Sequence, residues 1–144
     1  MKIDVSWQSV LKFRGETSEG YSLLMDADPQ SGGEAKGPRP TEVLLMALGG
    51  CMGINVISIL NKMRETVISY NLSIDADRAA EQPKRFTTAR LLFQLEGDLK
   101  PANAERAIRL SLEKYCSVSN SLNAEMVFAY EINGKRFPET GFIS

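Results

Sequence analysis

The chain has 144 residues and no histidine, so few side-chain types are left to carry chemistry. Ser-His-Asp and Cys-His nucleophile pairs are excluded, as are imidazole general bases and His-ligated zinc or haem. The remaining nucleophiles are two cysteines, Cys51 and Cys116, supported by carboxylates, Lys, Arg and Tyr. Two thiols are too few for a Cys₄ zinc site, and no cofactor or metal is expected. What two thiols can do is peroxide chemistry. A thiolate attacks the O–O bond and becomes a sulfenic acid, which a second thiol must trap before it over-oxidises.

The local settings of the cysteines differ. Cys51 lies in Gly49-Gly50-Cys51-Met52-Gly53. Interior glycines cost a helix roughly 1 kcal/mol each relative to Ala, so three in five residues need a reason. Either another chain segment packs closely there, or small residues leave room for a substrate to reach the sulfur. Cys116, in Glu-Lys-Tyr-Cys-Ser-Val-Ser-Asn-Ser-Leu, falls at a junction of helical segments. A helix N-terminus just beyond it would lower a thiol pKa. The alternative for either cysteine is a small, inert buried hydrophobe.

The elements that position these thiols are legible from periodicity. Ile3, Val5 and Trp7 alternate with polar residues, then Leu11 and Phe13, then Tyr21, Leu23 and Met25. Period-two alternation predicts three strands. Residues 27–39 form a Gly- and Pro-rich loop, a functional loop or a mobile connector. Pro40 suits a first helical turn. Residues 43–60 are apolar except for Asn55 and Ser58. That length raises the question of a membrane span, but the glycines and amphipathic flanks favour a core helix. One small domain can hardly cover such a helix on every side, which predicts a homodimer. Ile68, Tyr70, Leu72, Ile74 and Ala76 share one strand face, and Ala89, Leu91, Phe93 and Leu95 another. Pro101 opens a second helix with Ala104, Ala107, Ile108, Leu112 and Tyr115 on one side. A short further turn spans Ser117–Leu122, and Met126–Ile132 is a last strand. The expected order is β-β-β-α-β-β-α-α-β, an α+β fold in a single domain, residues 1–144.

Charge adds exclusions. There are 17 basic and 18 acidic residues, so neither nucleic acid nor a membrane surface is an expected partner. The N-terminal segment lacks the features of a signal peptide, and a cytoplasmic location is expected.

Pro40 to Cys51, Pro-Thr-Glu-Val-Leu-Leu-Met-Ala-Leu-Gly-Gly-Cys, followed by Glu113 to Val118, Glu-Lys-Tyr-Cys-Ser-Val, resembles the OsmC/Ohr family of osmotically inducible and organic-hydroperoxide-resistance proteins. The resemblance implies an intertwined homodimer around long central apolar helices, with two active sites at the interface. It implies reduction of organic hydroperoxides by a peroxidatic Cys51, resolved by Cys116, with a dithiol or lipoyl protein as reductant. An arginine holds the thiolate in such proteins. Arg14 and Arg39 are the candidates here. A glutamate directly after the proline assists it. In this chain Thr41 stands there and Glu42 follows one residue later, about 100° further round a helix. A non-enzymatic protein that binds a small molecule or senses redox state is the alternative reading.

Overall fold

The computed structural model describes residues 1–137 and the backbone of 142–143. Among the described residues the fold is mixed α+β, with two sheets and two α-helices. The chain packs as two compact units, Met1–Met46 and Ala47–Ser144, and the first helix runs through the division.

The first unit is an antiparallel sheet of β1 (Ile3–Ser9), β2 (Lys12–Thr17) and β3 (Ser22–Met25), in that order. The alternation is present, but its apolar side chains are not buried: Trp7 is 66 % and Val5 59 % exposed. Residues 27–39 are not a loose connector. The buried carboxylate of Asp26 accepts the N–H groups of Ala27 (2.8 Å), Lys36 (3.0 Å) and Glu34 (3.2 Å). Gly33 passes so close to Ala27 that a Cβ would lie 2.0 Å from its carbonyl oxygen.

Helix α1 (Pro40–Lys62) begins where Pro40 fits the first turn. Glu42, its third residue, accepts the Arg39 N–H at 2.8 Å, the carboxylate half of a capping box. Leu48, Met52, Val56 and Leu60 recur every four residues and are fully buried. The helix is long and apolar enough to cross a membrane, yet only 22 % of that apolar span is buried. Met46 and Ile54 are 61 % and 74 % exposed.

The second sheet follows the order β4 (Thr66–Arg78), β5 (Phe86–Asp98), β6 (Glu125–Ile132) and β7 (Lys135–Phe137), and β8 (Phe142–Ile143) also pairs with β6. Leu91, Phe93, Leu95 and Phe128 are buried in its core. Tyr70, Leu72, Ile74 and Ala76 lie on one half-buried face of β4 as expected, but Ile68 is exposed. The cause is a bulge: the β4–β5 register shifts between Val67 and Ser69, opposite Gly97. Gly97 has φ 142°, and a Cβ there would lie 2.0 Å from the Thr66 oxygen. One extra residue reverses the facing of every residue before it.

Helix α2 (Pro101–Leu110) makes the crossover between β5 and β6, which pair in parallel. It does not continue regularly. Ser111–Tyr115 form a π-helical turn, and a 3₁₀ turn follows at Ser119–Ser121. The wider turn corrects one expectation. Ala104, Ala107, Ile108 and Leu112 are buried, but Tyr115 is rotated off that face to 50 % exposure.

Candidate active site

Cys51 is carried by the middle of α1, where its sulfur is half-buried and free. Cys116 ends the π turn and is fully buried and free. The turn is closed by the Cys116 N–H donating to the Ser111 carbonyl at 2.8 Å. Ser111, itself buried, donates its hydroxyl to Met52 Sδ at 3.4 Å, which fastens the turn to α1 beside Cys51. The Cys116 carbonyl is tied down from beyond, by the Ser119 hydroxyl at 3.0 Å and Asn120 Nδ2 at 2.9 Å. The two cysteines, remote in sequence, are thereby brought into hydrogen-bonding contact.

Their environments push the thiols apart. Burial raises the Cys51 thiol, but hydrogen bonds from Cys116, the Val118 N–H, and the Ser117 hydroxyl and N–H outweigh it, and its pKa is lowered. The amide Nδ2 of Asn55, one helical turn on, also donates to Cys51 Sγ at 3.7 Å. For Cys116, burial comes first and raises the pKa, and its bond to Cys51 raises it further. The Ser119 hydroxyl and N–H only partly offset this. The expectation that the turn after Cys116 would lower that residue's own thiol is therefore corrected. The Ser119 N–H at the start of the 3₁₀ turn does donate to Cys116 Sγ, at 3.3 Å, but burial outweighs it, and the Ser117 and Val118 N–H groups before the turn serve Cys51.

The glycines around Cys51 divide between the two readings. A Cβ on Gly53 would meet the Tyr70 ring at 3.3 Å, and one on Gly49 would meet Ile74 at 3.4 Å. These two are small because β4 packs on them. Gly50, next to Cys51, faces open space.

Arg14, Arg39 and Glu42 belong to the Met1–Met46 unit. Arg14 donates to Ser22 Oγ at 2.9 Å and pairs with Glu16 at 3.6 Å. Arg39 pairs with Glu42 at 2.7 Å and Asp28 at 3.9 Å. The Arg39 hydrogen bonds hold the Glu42 carboxyl below its ordinary range. Sequence reasoning missed Asn55, Ser117, Ser119 and Asn120. The cluster of Ser and Asn after Cys116 was the available signal, since these side chains satisfy backbone groups in turns.

An OsmC-like protein family model matches residues 33–131. The chain is 42% identical over 135 residues to Protein YhfA of Escherichia coli K12, covering 92% of this chain and 98% of that protein. Among solved structures, a hypothetical protein from Aquifex aeolicus is 28% identical with a TM-score of 0.76, covering 92% of this chain and 96% of its own. An organic hydroperoxide resistance protein OsmC from Legionella pneumophila shares the fold at 16% identity, with a TM-score of 0.67 and coverage of 91% and 97%.

Proposed function

This chain belongs to the OsmC-like protein family, and from that premise we propose that it is a thiol peroxidase reducing organic hydroperoxides. The observation that carries the reading is the Cys51–Cys116 pair, in which a half-buried sulfur is lowered in pKa and its fully buried partner raised. A nucleophile must be a thiolate and reachable, and a resolving thiol must stay protonated and in reserve.

The sequence of steps follows from that polarity. The Cys51 thiolate attacks the outer peroxide oxygen, and the O–O bond breaks. The departing alkoxide takes a proton from water and leaves as an alcohol, with Cys51 as sulfenic acid. The Cys116 sulfur then attacks Cys51, and the sulfenic hydroxyl leaves with the Cys116 proton as water, forming a disulfide. A dithiol, such as that of a lipoyl protein, gives up two electrons and two protons to restore both thiols. Two free cysteines suit a reducing compartment, in keeping with a cytoplasmic location.

The working unit in this reading is a homodimer. Its support is the apolar surface that one chain leaves open, on α1 at Met46 and Ile54 and on β1 at Ile3, Val5 and Trp7. A non-enzymatic protein that binds a small molecule or senses redox state is the second reading, favoured by one observation: Thr41, not a glutamate, stands directly after Pro40.

The test is one equivalent of an organic hydroperoxide with mass spectrometry. Wild type should gain an intrachain Cys51–Cys116 disulfide. Cys116→Ser should hold Cys51 as a dimedone-reactive sulfenic acid, and Cys51→Ser should consume nothing. Peroxide consumption by Cys51→Ser would falsify the assignment. Oxidation that is slow and without turnover on added dithiol would favour the sensor.

A further inference from the structure

The Cys51–Cys116 pair has a second chemistry open to it, one that consumes no oxidant. Both cysteines belong to the Ala47–Ser144 unit, and both are free. Three consecutive residues, Cys116, Ser117 and Val118, hydrogen-bond to the Cys51 sulfur. The Ser119 N–H donates to Cys116 Sγ at 3.3 Å, and the Asn55 amide donates to Cys51 Sγ at 3.7 Å. Apart from the thiols themselves, the groups on the two sulfurs among the described residues are neutral donors. The Ser111 hydroxyl on Met52 Sδ, at 3.4 Å, pins the π turn to α1. The sulfurs are therefore held together before any bond joins them.

A fixed pair of soft sulfurs is a chelate for a soft centre, and geometry decides which. Zinc takes four ligands in a structural site, and no group of three His, Cys, Asp or Glu side chains converges among the described residues. With sulfur bonds of about 2.3 Å, a linear two-coordinate ion needs its sulfurs about 4.6 Å apart, and a pyramidal centre with roughly right-angled bonds needs about 3.3 Å. The shorter span suits two sulfurs already in hydrogen-bonding contact, so a pyramidal centre replaces the shared proton without moving the helix or the turn. Trivalent arsenic is soft, pyramidal and satisfied by three ligands. Cys51 is half-buried, which leaves the third ligand a way out to solvent.

We infer that Cys51 and Cys116 capture trivalent arsenic as a bidentate dithiolate, with one further substituent on the arsenic. Two As–O bonds break and two As–S bonds form. The thiol protons leave with the displaced oxygens as two waters, and no atom changes oxidation state. Cys51, the more accessible sulfur, makes the first bond, and the buried Cys116 closes the chelate. Capture does not depend on the peroxidase reading. Its consequence does: with both sulfurs engaged, the peroxide reaction is shut off. Two inert thiols that only fill space predict at most a singly bonded adduct at Cys51.

The full-length reduced protein is titrated with phenylarsine oxide and weighed by native mass spectrometry, with free thiols counted by Ellman's reagent. Wild type should take one phenylarsenic group per chain and lose both thiols. Cys51→Ser and Cys116→Ser should each bind roughly 100- to 10,000-fold more weakly, because the second bond of a chelate is intramolecular. Wild type alone supplies a further readout, which stands even where Cys116→Ser misfolds. Dimercaptopropanol should strip the arsenical, and mercaptoethanol at equal thiol concentration should not. Two arsenicals per chain, one arsenical with a thiol left free, or equal removal by both reagents overturns the inference. Loaded protein should consume no organic hydroperoxide until it is stripped. Turnover by the loaded protein overturns the chelate, since that reaction needs a free Cys51 sulfur. Hydroperoxide turnover by a protein that takes up no arsenical overturns the capture and leaves the peroxidase standing. Chelation by a protein that never turns over hydroperoxide removes the peroxidase and leaves the capture.

Discussion

Ser117→Ala isolates the device that distinguishes the two thiols. The Ser117 hydroxyl is one of the groups lowering the Cys51 thiol, with Cys116, the Val118 N–H and the Ser117 N–H. The substitution removes that donor and leaves the others. Hydrogen bonds to charged groups contribute about 1.5–3 kcal/mol. The lower end applies to a half-exposed sulfur whose other donors persist. At about 1.4 kcal/mol per factor of ten, the thiolate population below the thiol midpoint should fall roughly tenfold. Iodoacetamide reacts with the thiolate, so its rate across pH reads that population directly. The folded-state pKa of Cys51 is depressed in wild type, so the rate should rise at a pH below that of an ordinary thiol. In Ser117→Ala the midpoint should move upward. An unchanged midpoint, with fold retained by circular dichroism, refutes the reasoning. A larger shift from Arg14→Ala or Arg39→Ala would return the role to a guanidinium.

Other consequences follow from the same geometry. Limited alkylation of the native protein should label Cys51 well before Cys116, which is fully buried. Peptide mass spectrometry with and without denaturant checks this. Gly53→Val should cost about 1–3 kcal/mol in urea unfolding by overpacking against the Tyr70 ring. Asp26→Asn should speed amide exchange at Glu34 and Lys36, whose N–H groups the carboxylate holds. The Asp26 pKa is lowered, first by the Lys36 N–H against the opposing effect of burial. Its contribution to stability is therefore present above the unfolded-state pKa and lost as pH falls through the folded value. Wild type should show this acid-side loss in thermal melts, and Asp26→Asn should not.

Residue types and their spacing were enough to limit the chemistry that is possible and to place most of the elements. The absence of histidine leaves thiols as the nucleophiles, and the alternation holds residue by residue in Ala89–Leu95 and, but for the buried Ala129, in Met126–Ile132, because strand facing is a local property of period two. Pro40 and Pro101 mark both helix starts for an equally local reason: proline lacks the N–H that a first turn leaves unused. What failed was wherever one residue changed the count. The bulge opposite Gly97 turns Ile68 outward, and the π turn turns Tyr115 outward, since each depends on a partner across the sheet or a fifth residue along the helix. The polarity of the thiol pair was also beyond the sequence. The donors of Ser117 and Val118 are adjacent to Cys116 in the chain, yet they serve Cys51, and only the inward fold of the π turn decides that.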